Sequence, residues 1–145
     1  MGERGFTLIE VIIVIAIIGI FAGAAYPIIG NTGARDVDNV ARELAADLQW
    51  MQQRSINSGA GPFPIIEFTA TGYVIKLNNT VIKPNVSFPN TVTIDDLPTN
   101  TSFNANGQCD PSRTIILQSG SVFRNIIIDV NGRIHISATA PVTTS

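Results

Sequence analysis

One long apolar run near the start of the chain constrains the fold most. The residues from Val11 to Tyr26 are almost all apolar, and a single carboxylate, Glu10, stands directly before them. As an α-helix, the 24 residues from Phe6 to Ile29 would be about 36 Å long. This length is enough to cross the hydrocarbon core of a membrane with some tilt. A carboxylate at the bilayer centre costs about 2.5–3.5 kcal/mol, so we expect Glu10 to have a function.

The stretch Gly5-Phe6-Thr7-Leu8-Ile9-Glu10 resembles the processing site of type IV pilins and pseudopilins. The resemblance implies that a prepilin peptidase removes residues 1–5 as a leader and methylates the new amine of Phe6. It also implies that Glu10 meets the amino terminus of a neighbouring subunit and sets the register between subunits during assembly. The physical argument agrees, because a carboxylate among packed apolar helices needs a partner of opposite charge.

Two other interpretations of this segment are open. Glu10 lies close enough to the start of the apolar run to be an interfacial acid that reaches the lipid headgroups. The segment also has features of a general secretory signal peptide, because Ala22-Gly23-Ala24 supplies small residues after an apolar core. The protein would then be a secreted or membrane-anchored β domain without a role in a filament. The short charged region and the carboxylate at the start of the core favour the pilin interpretation.

The far end of the apolar run contains residues that weaken a helix. We therefore expect a kink or a locally unwound stretch between positions 19 and 33. This part of the chain contains one proline and four glycines: Pro27, Gly19, Gly23, Gly30 and Gly33. Pilins curve their long helix at this point, and the resemblance assigns the helix kink to Pro27.

Residues 30–58 predict an amphipathic second half of the helix. Their apolar side chains recur with a period near 3.6 and form one stripe, with Ser55 in line: Val37, Val40, Ala41, Leu44, Leu48 and Met51. The opposite face is predicted to carry Glu43, Asp47, Trp50 and Arg54. Glycines and prolines from Gly59 to Pro64 end this helix, so the stripe must pack on something apolar that follows.

Residues 59–145 predict a globular β domain. Short β-branched runs cover residues 64–69, 73–77, 80–83, 86–88, 92–94, 113–118, 123–129 and 133–136. Asn131-Gly132 between the last two runs predicts a hairpin. Several strands after a long helix indicate an α+β protein. The expected fold is pilin-like, with a long, partly transmembrane N-terminal helix packed on a C-terminal antiparallel β-sheet or β-sandwich.

Two loop sequences narrow the resemblance. Phe103-Asn104-Ala105-Asn106-Gly107 and Val130-Asn131-Gly132-Arg133-Ile134 are similar to loops of the GspH/FimT group. Its members are minor pseudopilins of type II secretion systems and minor pilins of type IV pili. Cys109 is the only cysteine, so no disulfide within the chain can close the C-terminal loop that many major pilins close. Both observations indicate a minor subunit.

Enzymatic, metal and nucleic-acid functions find little support. His135 is the only histidine, and neither a Ser-His-Asp triad nor a zinc cluster can be assembled around it, so we expect no cofactor and no metal.

DNA binding is the alternative function, in a minor pilin that takes up DNA. The candidate residues for contact with DNA form a weak basic patch: Arg113, Arg124, Arg133 and His135. The net charge of −2 and the lack of a basic run argue against it.

The sequence therefore predicts a structural subunit rather than an enzyme. It would be stored in the cytoplasmic (inner) membrane as a single-pass protein, with its globular domain outside the cytoplasm, and then enter a pilus or pseudopilus. The resemblance implies several partners: prepilin peptidase, other pilins or pseudopilins and, indirectly, an inner-membrane platform protein and an assembly ATPase.

Overall fold

A computed structural model of the 145-residue chain describes residues 7–29, 32–95 and 97–138, with the backbone alone for 22–29. The chain divides into two compact units, Met1–Thr32 and Gly33–Ser145. The described elements are two helices, α1 (Leu8–Ile29) and α2 (Thr32–Ser58), and eight short strands.

Helix α1 begins directly after Thr7. The carbonyl oxygen of Thr7 accepts hydrogen bonds from the backbone N–H groups of Glu10 and Val11, at 3.1 and 3.4 Å. From Leu8 to Phe21 every described side chain is exposed within its unit, and the apolar ones surround the helix on all sides. A helix that is apolar all round is typical of a helix buried by partners or by lipid. Among the described residues, no helix has the length and hydropathy that a membrane span needs.

Helix α2 confirms the predicted stripe, because all six apolar residues and Ser55 are buried. The prediction for Asp47 was wrong. Its side chain was expected on the polar face, but Asp47 is 5% exposed and accepts a hydrogen bond from the Tyr73 hydroxyl. The helical period places Asp47 beside Leu44 and Met51, at the border of the stripe. Its burial therefore depends on a polar partner in the β domain.

Eight strands form two antiparallel sheets. The first sheet has the order β3-β2-β1-β5: β3 (Thr80–Ser87), β2 (Gly72–Leu77), β1 (Ile65–Thr69) and β5 (Thr101–Ser102). The second sheet has the order β4-β6-β7-β8: β4 (Thr93–Asp95), β6 (Arg113–Ser119), β7 (Val122–Ile128) and β8 (Ile134–Ser137). The runs predicted separately at 80–83 and 86–88 are one strand, β3. It contains Pro84 and lies at a sheet edge, where a missing N–H is tolerated.

One hydrophobic core joins the stripe of α2 to the inner faces of both sheets. Ile66, Tyr73 and Ile75 come from the first sheet. The second sheet contributes Ile115, Leu117, Ile126 and Ile128. The predicted α+β fold, with a helix packed on antiparallel sheets, is confirmed.

Candidate functional site

Glu10 lies in the first turn of α1, three residues after Thr7. Thr-x-x-Glu at the start of a helix is the sequence of a capping box, and a carboxylate is favoured near the positive end of the helix dipole. The carboxylate of Glu10 is exposed and has no ion-pair partner among the described side chains. The Glu10 carboxylate can therefore stabilise the first turn of α1 and still form an ion pair with a cationic group of another molecule.

Other predicted residues of the amino-terminal segment are not tested by the structure. Gly5 and Phe6, the predicted cleavage and methylation site, lie outside the described residues. Pro27 lies within α1, which the structure continues to Ile29, but its side chain is not among those described. The predicted kink at Pro27 therefore stays a prediction.

The two loops that the sequence singled out meet at one side chain of α2. The Nε2 group of Gln52 donates to the carbonyl oxygens of Gly107 and Gly132, at 2.7 and 2.8 Å. A methyl group on Gly132 would lie 1.8 Å from the Gly107 oxygen, so the two loops touch through their backbones. We call this contact of Gln52, Gly107 and Gly132 the loop junction.

Each loop of the junction is held by its own hydrogen bonds. In the first loop the Asn104 side-chain oxygen accepts from the backbone N–H groups of Asn106 and Gln108, at 2.9 and 3.0 Å. In the second, an Asp129 side-chain oxygen accepts from the N–H of Arg133 at 2.9 Å. Gly132 has φ of 80°, which a side chain would strain. Sequence reasoning found both loops but not Gln52, because nothing local relates residues 55 and 80 positions apart.

Acidic residues of α2 connect it to both sheets. Asp47 accepts from the Tyr73 hydroxyl at 2.8 Å and forms an ion pair with Lys83, which attaches α2 to β2 and β3. Desolvation by burial, followed by the hydrogen bond to Asp47, raises the pKa of Tyr73 well above its usual range. Asp38 pairs with the Nε group of Arg124 at 2.5 Å, which attaches α2 to β7.

The structure divides the predicted basic patch between different surfaces. Arg113 is opposite Ile128 and therefore shares the inner face of the second sheet, as does Arg124, which turns to Asp38 on α2. His135 pairs with Ile127 on the outer face. Arg133 is an exposed residue of the hairpin loop. No specific contact favours DNA as a ligand.

The described part of the chain contains no group of three or more metal-ligating side chains. Cys109 is a free thiol that is 2% exposed, and its Sγ atom donates to the Pro111 carbonyl oxygen at 3.6 Å. Desolvation by burial raises the pKa of Cys109. A thiol in this environment is a packing residue rather than a reactive one.

Comparisons with known proteins give a match to a sequence family and a similar fold. Residues 1–26 match the family described as the prokaryotic N-terminal methylation motif. The fold is similar to that of the type IV minor pilin FimU of Pseudomonas aeruginosa, with a TM-score of 0.56 and 21% identity over 72% of this chain and 97% of that chain. The amino terminus therefore carries a prepilin-type methylation motif, and the fold is similar to that of a type IV minor pilin. No curated protein matches its sequence.

The methylation motif and the similar fold support a structural subunit rather than an enzyme. The matched motif covers Gly5, Phe6 and Glu10, and it implies processing by prepilin peptidase and assembly with other pilins. The pilin fold explains the division of the chain, since an apolar helix precedes a unit with its own core.

Proposed function

We propose that this protein is a minor pilin or pseudopilin of the GspH/FimT type, a structural subunit of a type IV pilus or a type II secretion filament. The observation that carries the proposal is helix α1, which has one carboxylate in its first turn and apolar side chains on every side. Leu8 is 80% exposed and Phe21 is 71% exposed within the unit. Such a surface requires lipid or other apolar helices around it.

Maturation would prepare helix α1 for the membrane and then for the filament. Prepilin peptidase cleaves between Gly5 and Phe6, and the methylated Phe6 becomes the amino terminus. Residues 6–29 then hold the chain in the cytoplasmic membrane as a single span, with the β domain outside the cytoplasm. The span rests on the sequence, in which these 24 residues contain one charge. Pro27 bends the helix near its outer end.

Assembly would exchange lipid for neighbouring helices around α1. Because lipid tails are as apolar as the side chains of α1, burial itself gives little net free energy. Extraction therefore needs external work, from an assembly ATPase that acts through an inner-membrane platform protein. In the filament the Glu10 carboxylate pairs with the Phe6 amine of a neighbour, and an offset of one residue would leave two charges unpaired among apolar helices.

The variant Glu10→Gln tests this pairing, because it removes the charge and keeps the size of the side chain. We expect normal processing but lower incorporation into filaments, by about tenfold or more, since the neighbour's amine loses its counter-ion. Glu10→Asp keeps the charge and should incorporate better than Glu10→Gln. Equal incorporation of wild type and Glu10→Gln would contradict the register role of Glu10.

Mass spectrometry of the amino-terminal peptide from native membranes tests the maturation step. A chain that begins at methylated Phe6 supports the proposal. A chain that begins at Ala25 means a secreted β domain, and an intact Met1 means a protein that is only anchored in the membrane. Either of the last two results contradicts a filament role.

A further inference from the structure

A groove runs between helix α2 and the edge of the second sheet. Its volume is about 440 Å³, and it is lined by Asp38, Arg42, Arg124, Ile136 and Ala138. We call it the arginine groove. All five residues belong to the unit Gly33–Ser145.

One of the two arginines is fixed in place. The Nε group of Arg124 donates to Asp38 at 2.5 Å, and its Nη1 group donates to the Phe123 carbonyl oxygen at 2.7 Å. Hydrogen bonds from two of its three nitrogens hold the orientation of the planar guanidinium. The N–H groups of Nη2 have no partner among the described residues and are available to a ligand.

The second arginine is not neutralised. Arg42 is exposed and has no ion pair within residues 7–29, 32–95 and 97–138. Two arginines and one aspartate give the groove a net charge of 2 − 1 = +1. The chain as a whole has a net charge of −2, so this local excess of positive charge is a departure from its average.

The opposite wall of the groove is apolar. Ile136 is 41% exposed although it lies on the inner face of β8, opposite Ile126, and Ala138 follows at the end of the strand. A ligand that fits both walls has one negative group for the guanidinium groups and a short apolar stem for Ile136. An aspartate or glutamate side chain has this chemistry, and arginine binds a carboxylate through two parallel hydrogen bonds.

We propose that the arginine groove binds an acidic side chain of a neighbouring filament subunit. The inference rests on the proposed function, which assembles this chain with other pilins. The charge of the groove selects the carboxylate, and the fixed Arg124 lowers the ordering cost of the contact. The groove then adds a charged contact between β-containing units to the packing of the apolar helices.

A cross-linking experiment on assembled filaments tests the inference. The variant Arg42→Lys keeps the charge and introduces a primary amine, which a carbodiimide joins directly to a carboxylate in contact with it. We expect an amide bond between position 42 and an acidic peptide of another subunit, identified by mass spectrometry. Mixing isotope-labelled and unlabelled subunits separates links between two copies of this chain from links within one chain.

The matched control is Arg54→Lys, which places the same amine on another side of α2, where Arg54 stacks on Trp50 at 5.7 Å. We expect at least about tenfold fewer links between subunits from position 54 than from position 42. In addition, Arg42→Glu should lower incorporation by about tenfold, as expected for the loss of one charge-assisted contact, while Arg54→Glu should not.

The outcomes separate the two proposals. If neither wild type nor Arg42→Lys enters filaments, the proposed function is wrong, and the groove inference falls with it. If both enter filaments and position 42 links only to Asp38 of its own chain, the groove inference alone is wrong. It is also wrong if duplex DNA binds the wild-type chain and Arg42→Glu abolishes that binding, because the occupant is then a phosphate.

Discussion

The loop junction gives the sharpest prediction about stability. The variant Gln52→Glu keeps the size and shape of the side chain but replaces its only donor with an oxygen. Both hydrogen bonds, to the carbonyl oxygens of Gly107 and Gly132, are then lost. Each is worth about 1 kcal/mol net, and a carboxylate facing two carbonyl oxygens adds repulsion. We expect the free energy of unfolding to fall by roughly 2–4 kcal/mol.

The assay is thermal unfolding of the full chain in detergent, followed by circular dichroism. For a unit of this size, the loss corresponds to a Tm lower by roughly 10–20 °C. The matched control is Gln49→Glu, which makes the same charge change on the same helix. Gln49 is exposed, and its side chain has no hydrogen bond to another described residue. That variant should change the stability by about 0.5 kcal/mol or less.

The pH dependence of Gln52→Glu gives a second readout. The two carbonyl oxygens disfavour the charged form of the introduced carboxyl, so its pKa in the folded state rises above the unfolded value of about 4.3. The destabilisation should be complete at neutral pH and should decrease as the pH falls through the folded-state pKa. Equal Tm values for Gln52→Glu and Gln49→Glu at pH 7 would refute the reasoning, because the junction would then contribute nothing.

Three further predictions follow from single positions. The raised pKa of Tyr73 contributes stability that is complete below about pH 10 and is lost as the pH rises further, so Tyr73→Phe should reduce alkaline destabilisation measured by urea unfolding. A methyl group on Gly72 would lie 2.0 Å from the Val86 carbonyl oxygen. Gly72→Ala should therefore cost more than about 2 kcal/mol in denaturant unfolding, and more than Gly120→Ala, where only a φ of 59° opposes the change. Cys109 should react with a thiol reagent at least about a hundredfold faster in denaturant than in the folded protein, and equal rates would contradict its burial.

Much of the fold was predictable from periodicity. The buried stripe of α2 follows a helical period, so local sequence was sufficient to identify it. The hairpin of β7 and β8 was predicted from Asn131-Gly132, and the structure places a left-handed glycine at Gly132. The two-residue strand β5 was not predicted, because two residues carry no period and depend wholly on pairing with β1.

The functional residues also divide into those that local sequence predicts and those that only the tertiary structure shows. Gly5, Phe6 and Glu10 occupy one continuous motif, and the matched methylation family covers all three. The basic patch was proposed from residue type alone, and sequence spacing could not show that Arg124 would pair with Asp38, 86 positions away. The arginine groove was missed for this reason, since it combines α2 with two strands near the far end of the chain.

The sequence by itself determined the features that depend on neighbouring residues. These are the apolar helix with its single carboxylate, the processing motif and the amphipathic period of α2. Only the tertiary structure decided which polar groups meet across the core: Asp47 with Tyr73, Gln52 with two loop carbonyls and Arg124 with Asp38. The physical reason is that hydrophobic burial is non-directional and leaves a pattern along the chain, whereas a hydrogen bond requires two specific atoms within about 3 Å.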